Sequence, residues 1–170
     1  LCAGTAFQSL IIADKVKKIV AVDNSKIALN CAKLNVKING FEKKISLIKS
    51  DLFKSVKGKY DLIICDPPQI PTPHKISFGG DLIETTIDGG TTGRHIIDKI
   101  IKKAKNYLKP RGRIQLYHTE LANIKKSIKL FKKCQLIPEI TAVKQGAFGR
   151  TSRERLRHYK KIGIKIKYKN

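Results

Sequence analysis

The stretch whose residue types could do chemistry is Tyr60-Asp61-Leu62-Ile63-Ile64-Cys65-Asp66-Pro67-Pro68-Gln69. It begins as an apolar run with a β-branched pair, the pattern of a strand buried on both faces. It ends at Asp-Pro-Pro. Proline lacks an amide hydrogen and fixes φ, so two in succession cannot continue a central strand. The strand end is therefore left open, with the Asp66 carboxyl and the Asp66 and Pro67 carbonyls pointing outward. In open parallel sheets, ligands bind outside the carboxyl ends of the strands. Acceptors fixed there can grip an amino group and aim its lone pair. Asp66 to Gln69 is thus expected to hold a nitrogen while a group is transferred to it. The plainer alternative makes Asp66 a turn cap.

A second constellation suggests a nucleoside. The small-residue turn Cys2-Ala3-Gly4-Thr5-Ala6 carries one glycine, and Asp23 follows at the end of the next apolar run. Glycine admits a ligand to the backbone, and an acid at that position can accept hydrogen bonds from ribose hydroxyls. Asp23 could instead cap the helix that follows, although Asn24 or Ser25 could do so too. The pyrophosphate cradle Gly-x-Gly-x-x-Gly is missing, and so is Gly-x-x-x-x-Gly-Lys-Ser/Thr. A ligand with ribose but no phosphate fits best, which argues against a nicotinamide-dependent oxidoreductase.

The elements that must position these residues alternate. A helix is predicted after the Gly4 turn, to about residue 13, then a strand ending at Asp23. Residues 26–38 form a helix with Ile27, Cys31, Leu34 and Ile38 at helical spacing and Gly40 as its stop. Ile45 to Ile48 is a short strand delivering Asp51. Residues 67–92 are loop-like, rich in proline and glycine, and long loops in compact domains are often functional. A helix over 93–108 stopped by Pro110, a strand over 113–118, an amphipathic helix over 121–134 and a strand over 139–144 follow. Residues 150–161 are basic and helical. Ile162 to Tyr168 alternates apolar residues with lysine, the mark of a half-exposed strand lying antiparallel near an edge. Together these predict an α/β, Rossmann-like doubly wound, mostly parallel sheet.

The 170 residues and 41% apolar content fit a single domain over 1–170. No apolar run approaches the roughly 18 residues that span a bilayer, and no signal-peptide pattern is present. The cysteines, Cys2, Cys31, Cys65 and Cys134, are scattered. With His74, His95, His118 and His158 they show no metal spacing, so no metal site is expected. Cys31 and Cys65 sit in apolar contexts that suggest reduced core residues, and the histidines read as surface or packing groups. The cytoplasm is the compartment expected. The net charge of +23 suggests an anionic partner such as RNA, DNA or a ribonucleoprotein. Lysine outnumbers arginine 29 to 7, so genomic composition is the competing explanation. Arg150, Arg153, Arg155, Arg157, Lys160 and Lys161 are candidates for touching RNA, or else form a solvated face.

In order along the chain, Leu1-Cys2-Ala3-Gly4-Thr5-Ala6, Asp23, Asp51 and Asp66-Pro67-Pro68-Gln69 resemble the four motifs of class I S-adenosylmethionine-dependent methyltransferases. The last is similar to the Asn/Asp-Pro-Pro-aromatic signature of enzymes that methylate planar nitrogen. The resemblance implies that Cys2, Ala3, Gly4 and Thr5 face the methionine part of the cofactor. It places Asp23, with Asn24, at the ribose and Asp51 with Leu52 beside the adenine, where Asp51 could equally be an ordinary loop acid. Asp66 and the Pro67 carbonyl, supported by Pro68 and Gln69, would hold the target amino group. Asp88-Gly89-Gly90-Thr91-Thr92-Gly93-Arg94 also resembles the Gly-Gly-x-x-Gly stretch of protein-glutamine methyltransferases. Gln69 departs from the usual aromatic, which in the family commonly stacks on a flipped base or lines the amide pocket, and its absence removes a stacking face for a flipped base. The resemblance implies methylation of a protein glutamine amide or another translation-associated target. An RNA or DNA adenine amino group is the alternative, and a degenerate, non-catalytic binding subunit a third. The chain begins at Leu1, inside a motif, so a strand and its acid are expected upstream. Without them, the 170 residues alone are expected to bind the cofactor poorly.

Overall fold

The computed structural model describes residues 1–73, 86–146 and 149–165. Residues 74–85 of the predicted loop, His74 and residues 166–168 of the predicted last strand lie outside the described residues. The chain sorts into two compact units. One comprises Leu1–Asp66 with Asn106–Tyr117, the other Pro67–Lys105 with His118–Asn170.

The first unit is built on two parallel strand pairs. β1 (Ile19–Asp23) pairs with β2 (Ile45–Lys49), Ile19 opposite Ile45 and Asp23 opposite Lys49. β3 (Tyr60–Cys65) pairs with β4 (Leu108–Leu116), Cys65 opposite Leu116. Residues 1–3 are bonded to both pairs. The Leu1 nitrogen donates to Ile64 O of β3 (2.8 Å), and the Ala3 N–H donates to Val22 O of β1 (3.0 Å). The turn that follows is thereby set at the carboxyl ends of β1 and β3.

β4 starts earlier than the sequence suggests and runs through Pro110. The register jumps from Tyr60–Leu108 to Leu62–Arg113, so Lys109 to Gly112 form an irregularity in which Arg111 has φ 63°. A proline is tolerated there because the ladder is already interrupted. The expectation that β3 is buried on both faces is corrected too: Ile63 and Cys65 are buried, but Asp61 and Leu62 are exposed.

α1 (Phe7–Ile12) and α2 (Lys26–Ile38) complete this unit. α2 starts where a side-chain cap is available, the Ser25 hydroxyl accepting from Ala28 N–H at 3.2 Å. Its buried face is not the predicted one. Ala32 and Val36 are buried, whereas Ile27, Cys31, Leu34 and Ile38 face outward, Ile38 with 80% exposure. The core cluster explains this. Ala6, Ala13, Ala21, Ala32, Val36 and Ile45 pack together with Ala3 and Leu10, and so many alanines let the backbones approach closely. Large side chains at these positions would overpack the layer.

In the second unit, α3 (His95–Ala104) buries Ile97, Ile100, Ile101 and Ala104. α4 (Ile124–Lys133) packs against it and buries Ser127. Asn123, at φ 59°, separates α4 from a short 3-10 turn over Glu120–Ala122, so the predicted continuous helix over 121–134 is broken. Residues 139–144, predicted as a strand, are irregular and exposed, with Val143 at 88%. α5 (Arg150–Glu154) and α6 (Leu156–Lys161) divide the predicted basic helix, and residues 162–165 form a turn and an irregular segment. The antiparallel edge strand is not found among the described residues.

Residue placement on α2 makes a direct test. Val36→Ala should cost roughly 1–3 kcal/mol in urea unfolding, as for a buried aliphatic side chain of α2. Ile38→Ala should stay within about 0.5 kcal/mol, as for an exposed position. Equal losses would place the wrong face of α2 inward.

Candidate active site

At the carboxyl ends of the first unit's strands, Asp23 ties three turns together. Its Oδ2 accepts the Gly4 N–H (2.8 Å) and its Oδ1 accepts the Ser25 N–H (2.8 Å). Its backbone carbonyl accepts the Ser50 N–H at 2.9 Å. Ser50 is buried, and its hydroxyl accepts the Ser55 N–H (2.9 Å), which closes the turn carrying Asp51 and Leu52. Phe53 then stacks on Tyr107, with ring centroids 4.4 Å apart. Cys2, Ala3, Gly4, Thr5, Asp23, Asn24, Asp51 and Leu52 are therefore all fixed by this one unit.

These residues suit a ribose-bearing ligand. A carboxylate offers about four lone-pair sites, and backbone amides take two of them on Asp23, leaving room for hydroxyl donors. Gly4 has φ +52°, and nothing lies within 4 Å of where a side chain would stand, so open space borders the turn. Cys2 (φ 52°), Ala6 (φ 65°) and Leu52 (φ 53°) are also left-handed, a costly conformation outside glycine that concentrates at functional sites. Asn24 is exposed, and Asp51 is exposed and paired with Lys54 at 3.6 Å. Asp66 is exposed at the end of β3.

The Asp66–Pro67 peptide bond leads into the second unit, where Pro67 and Gln69 are buried and Pro68 is partly so. Gln69 is only 4% exposed. Its Oε1 accepts the Thr119 N–H at 2.7 Å. Residues 70–72 run beside the Asp88–Gly90 segment: Ile70 N–H donates to Ile87 O, Gly89 N–H to Ile70 O, and Thr72 N–H to Gly90 O, at 2.9, 3.0 and 3.0 Å. Here the Gly-Gly-x-x-Gly stretch has a packing role. A Cβ on Gly89 would come within 2.6 Å of Gln69 Cα, and one on Gly93 would strike the Gln69 carbonyl. The glycines allow two backbones to touch.

Behind Thr119 runs a polar chain that the sequence did not disclose. His118 contacts Thr119 O through Nδ1 (2.8 Å) and Ser127 Oγ through Nε2 (2.7 Å). A carbonyl can only accept, so Nδ1 carries the proton and Nε2 receives the Ser127 hydroxyl hydrogen. That hydroxyl in turn accepts from Arg94 Nη2 (3.0 Å). Arg94, almost fully buried, also pairs with Asp98 (2.5 Å) and donates to the Ala122 and Asn123 carbonyls. Arg94 directly follows the glycine stretch, and that adjacency was the available signal. His118 is thus more than a surface or packing group. His95 contacts Lys99, and His158 contacts Thr91 O. Cys65 is buried as expected, whereas Cys31 is exposed. Among the described residues no cluster of His, Cys, Asp and Glu could hold a metal ion, and no helix is long and apolar enough to cross a membrane.

Burial holds the His118 pKa below its usual value; the Thr119 carbonyl opposes this, Arg94 adds to the lowering and Asp98 offsets it. With the folded value depressed, the unfolded chain binds the proton more readily. The His118 contribution is therefore complete above the unfolded value near 6.5 and is lost as pH falls below it. Urea unfolding at pH 7.5 and 6.0 should show the loss, and His118→Gln should flatten the slope. An unchanged slope in the variant would place the dependence elsewhere.

The methyltransferase small domain family matches residues 1–85 of the chain. A protein of Methanocaldococcus jannaschii, assigned by name as a protein N5-glutamine methyltransferase, is 39% identical over 140 residues, covering 82% of this chain and 70% of that protein. The ribosomal protein uL3 glutamine methyltransferase of Neisseria gonorrhoeae is 31% identical over 66% of this chain, which spans 39% of that protein's length. Among solved structures, precorrin 8W decarboxylase of Methanobacterium thermoautotrophicum superposes with a TM-score of 0.55 at 18% identity, covering 77% of this chain and 58% of that one. That likeness supports the Rossmann-like fold. The chain belongs to the methyltransferase small domain family, S-adenosylmethionine-dependent enzymes of class I.

Proposed function

We propose that the chain methylates the side-chain amide nitrogen of a glutamine in a protein of the translation apparatus, in the cytoplasm. The observation that carries the choice of substrate is Gln69. A base-methylating site needs a flat face at this position for the extruded base. Gln69 instead turns inward to the Thr119 N–H, and Gly89 and Gly93 cover its backbone. An amide needs no stacking face. It needs acceptors for its hydrogens, which Asp66 and the Pro67 carbonyl supply in this reading. The names of the relatives from M. jannaschii and N. gonorrhoeae support the same substrate class.

S-adenosylmethionine supplies a methyl group on a sulfonium, open to direct displacement. The amide nitrogen is a weak nucleophile because its lone pair is delocalised into the carbonyl. Accepting its hydrogen bonds on Asp66 favours pyramidal geometry as positive charge develops on nitrogen. Alignment contributes the rest. In this reading residues 1–170 act as one catalytic domain, and Asp66, Pro67, Pro68 and Gln69 form the substrate side. Cys2, Ala3, Gly4, Thr5, Asp23, Asn24, Asp51, Leu52 and Asp66 form the cofactor side.

The two acids separate in kinetics. Asp23→Ala should weaken S-adenosylmethionine binding by about 1.5–3 kcal/mol, the scale of a hydrogen bond to a charged group. Asp66→Ala should leave affinity within a few-fold and lower turnover by roughly 10²–10³-fold. Transfer of labelled methyl to ribosomal proteins and translation factors, with the modified residue located by mass spectrometry, checks both. Label on adenine in RNA, or full turnover by Asp66→Ala, would contradict the reading.

RNA near the target explains the positive charge in this account. Arg153, Arg157, Lys160 and Lys161 are exposed and remain candidates, but Arg155 is buried, and Arg150 pairs with Glu154 at 3.0 Å. Binding to ribosomal RNA should weaken steeply with salt, and neutralising the four exposed residues should flatten that slope. Salt-independent association would leave them as a solvated surface.

A further inference from the structure

Four hydrogen bonds in the second unit run in one direction and end on the segment that follows Asp66. A guanidinium only donates, and so does a backbone N–H, so the two ends fix the sense of the bonds between them. Arg94 Nη2 donates to Ser127 Oγ (3.0 Å), and the Ser127 hydroxyl donates to His118 Nε2 (2.7 Å). His118 Nδ1 donates to Thr119 O (2.8 Å), and the Thr119 N–H donates to Gln69 Oε1 (2.7 Å). Arg94, Ser127 and Gln69 are 3%, 2% and 4% exposed, so water hardly competes for these bonds. The series is anchored at Arg94, itself held by Asp98 (2.5 Å) and by the Ala122 and Asn123 carbonyls.

The series closes on itself through the backbone. The Gly89 N–H donates to Ile70 O (3.0 Å), and Gly89 O accepts the N–H of His95, the residue after Arg94 (2.9 Å). Gln69 is thus tied to the start of α3 twice, by its side chain through Arg94 and by the adjoining backbone through Gly89. Methyl transfer from a sulfonium to an amide nitrogen calls on none of Arg94, Ser127 and His118 directly.

We propose that Arg94, Ser127 and His118 are positioning residues for methyl transfer: through Thr119 they fix Gln69, and with it the Pro67 carbonyl two residues earlier, in the setting that receives the acceptor amide. This rests on the reading that Asp66 and the Pro67 carbonyl hold that amide. Alignment of the nitrogen with the methyl group supplies part of the rate, and a misplacement of about 1 Å can cost roughly 10²-fold. Bonds in series polarise one another, so a break at Ser127 or His118 loosens the end on Gln69.

The proton inventory of His118 decides whether the series holds. Neutral His118 accepts at Nε2, whereas protonated His118 carries a hydrogen there and donates. Ser127 then meets donors on both sides, and its own hydrogen has no place in the series. The new cation also stands near Arg94, with Asp98 offsetting it. Among the described residues these are the charged groups acting on His118; α4 presents the neutral Ser127, and the neighbouring backbone the Thr119 carbonyl. Burial, opposed by the Thr119 carbonyl, holds the His118 pKa below its usual value. The intact series therefore prevails at neutral pH and breaks below about 6.5.

Full-length protein provides the test, with labelled S-adenosylmethionine as donor and a fraction of ribosomal proteins and translation factors as acceptor. Ser127→Ala should lower the apparent kcat/KM for the acceptor about tenfold or more and leave S-adenosylmethionine affinity within about twofold by calorimetry. The parent's kcat/KM should fall as pH drops from 7.5 to about 5, and His118→Gln, which takes up no proton there, should lose this acid limb. Amide exchange followed by NMR should quicken about tenfold at Thr119 and Ile70 in Ser127→Ala and stay unchanged at Gly4 and Ser25. Unchanged kcat/KM in Ser127→Ala, a parallel loss of S-adenosylmethionine affinity, or the same acid limb in His118→Gln would overturn the proposal. If Ser127→Ala does not fold, the acid limb of His118→Gln decides. A parent that methylates nothing in that fraction overturns the substrate reading instead, and exchange at Thr119 then decides the positioning, with no quickening in Ser127→Ala counting against it.

Discussion

The first unit depends on one carboxylate accepting two backbone amides. Turns at the carboxyl ends of strands leave N–H groups without strand or helix partners, and such groups must be paired when buried. Asp23 satisfies Gly4 and Ser25 with separate oxygens, and its carbonyl satisfies Ser50. Three segments distant in sequence are thereby held at one strand end. The structural and functional readings of this acid are not rivals. Ser25 caps α2 with its hydroxyl, so Asp23 is left to orient the turns through the Gly4 and Ser25 amides, and open space borders Gly4. In the proposed reading, preorganisation and ribose recognition come from the same group.

The second unit has its own fixed point in Gln69. Its backbone touches two glycines that no other residue could replace without displacement, and its side chain is held through Thr119 by a chain running to buried Arg94. Buried polar chains of this kind are stabilising when every member is paired and costly otherwise. Substituting an aromatic for Gln69 would therefore leave the Thr119 amide without its acceptor.

The alternation of strands and helices and the α2 boundaries were legible in the sequence because local chemistry sets them: Ser25 as a cap, Gly40 as a stop, Asp-Pro-Pro as a strand end. The buried face of α2 was not. Hydrophobic spacing favours Ile27, Leu34 and Ile38, but close backbone approach selects Ala32 and Val36. Pro110 signalled an end to structure, yet lies within β4 because an irregular register needs no amide there. Gln69 read as the loss of an aromatic. Its gain, the bond to Thr119, depends on residues 50 positions away, which local patterns do not reveal.

The central claim is that the Asp23-centred turns hold S-adenosylmethionine beside Asp66. A crystal structure of the full-length protein with S-adenosylhomocysteine tests it most directly. The account predicts ribose hydroxyls hydrogen-bonded to the Asp23 carboxylate, the Gly4 turn against the amino-acid part, and the sulfur directed toward Asp66. A product bound elsewhere, or an Asp23 carboxylate engaged by Gly4 and Ser25 with no ribose contact, would contradict it.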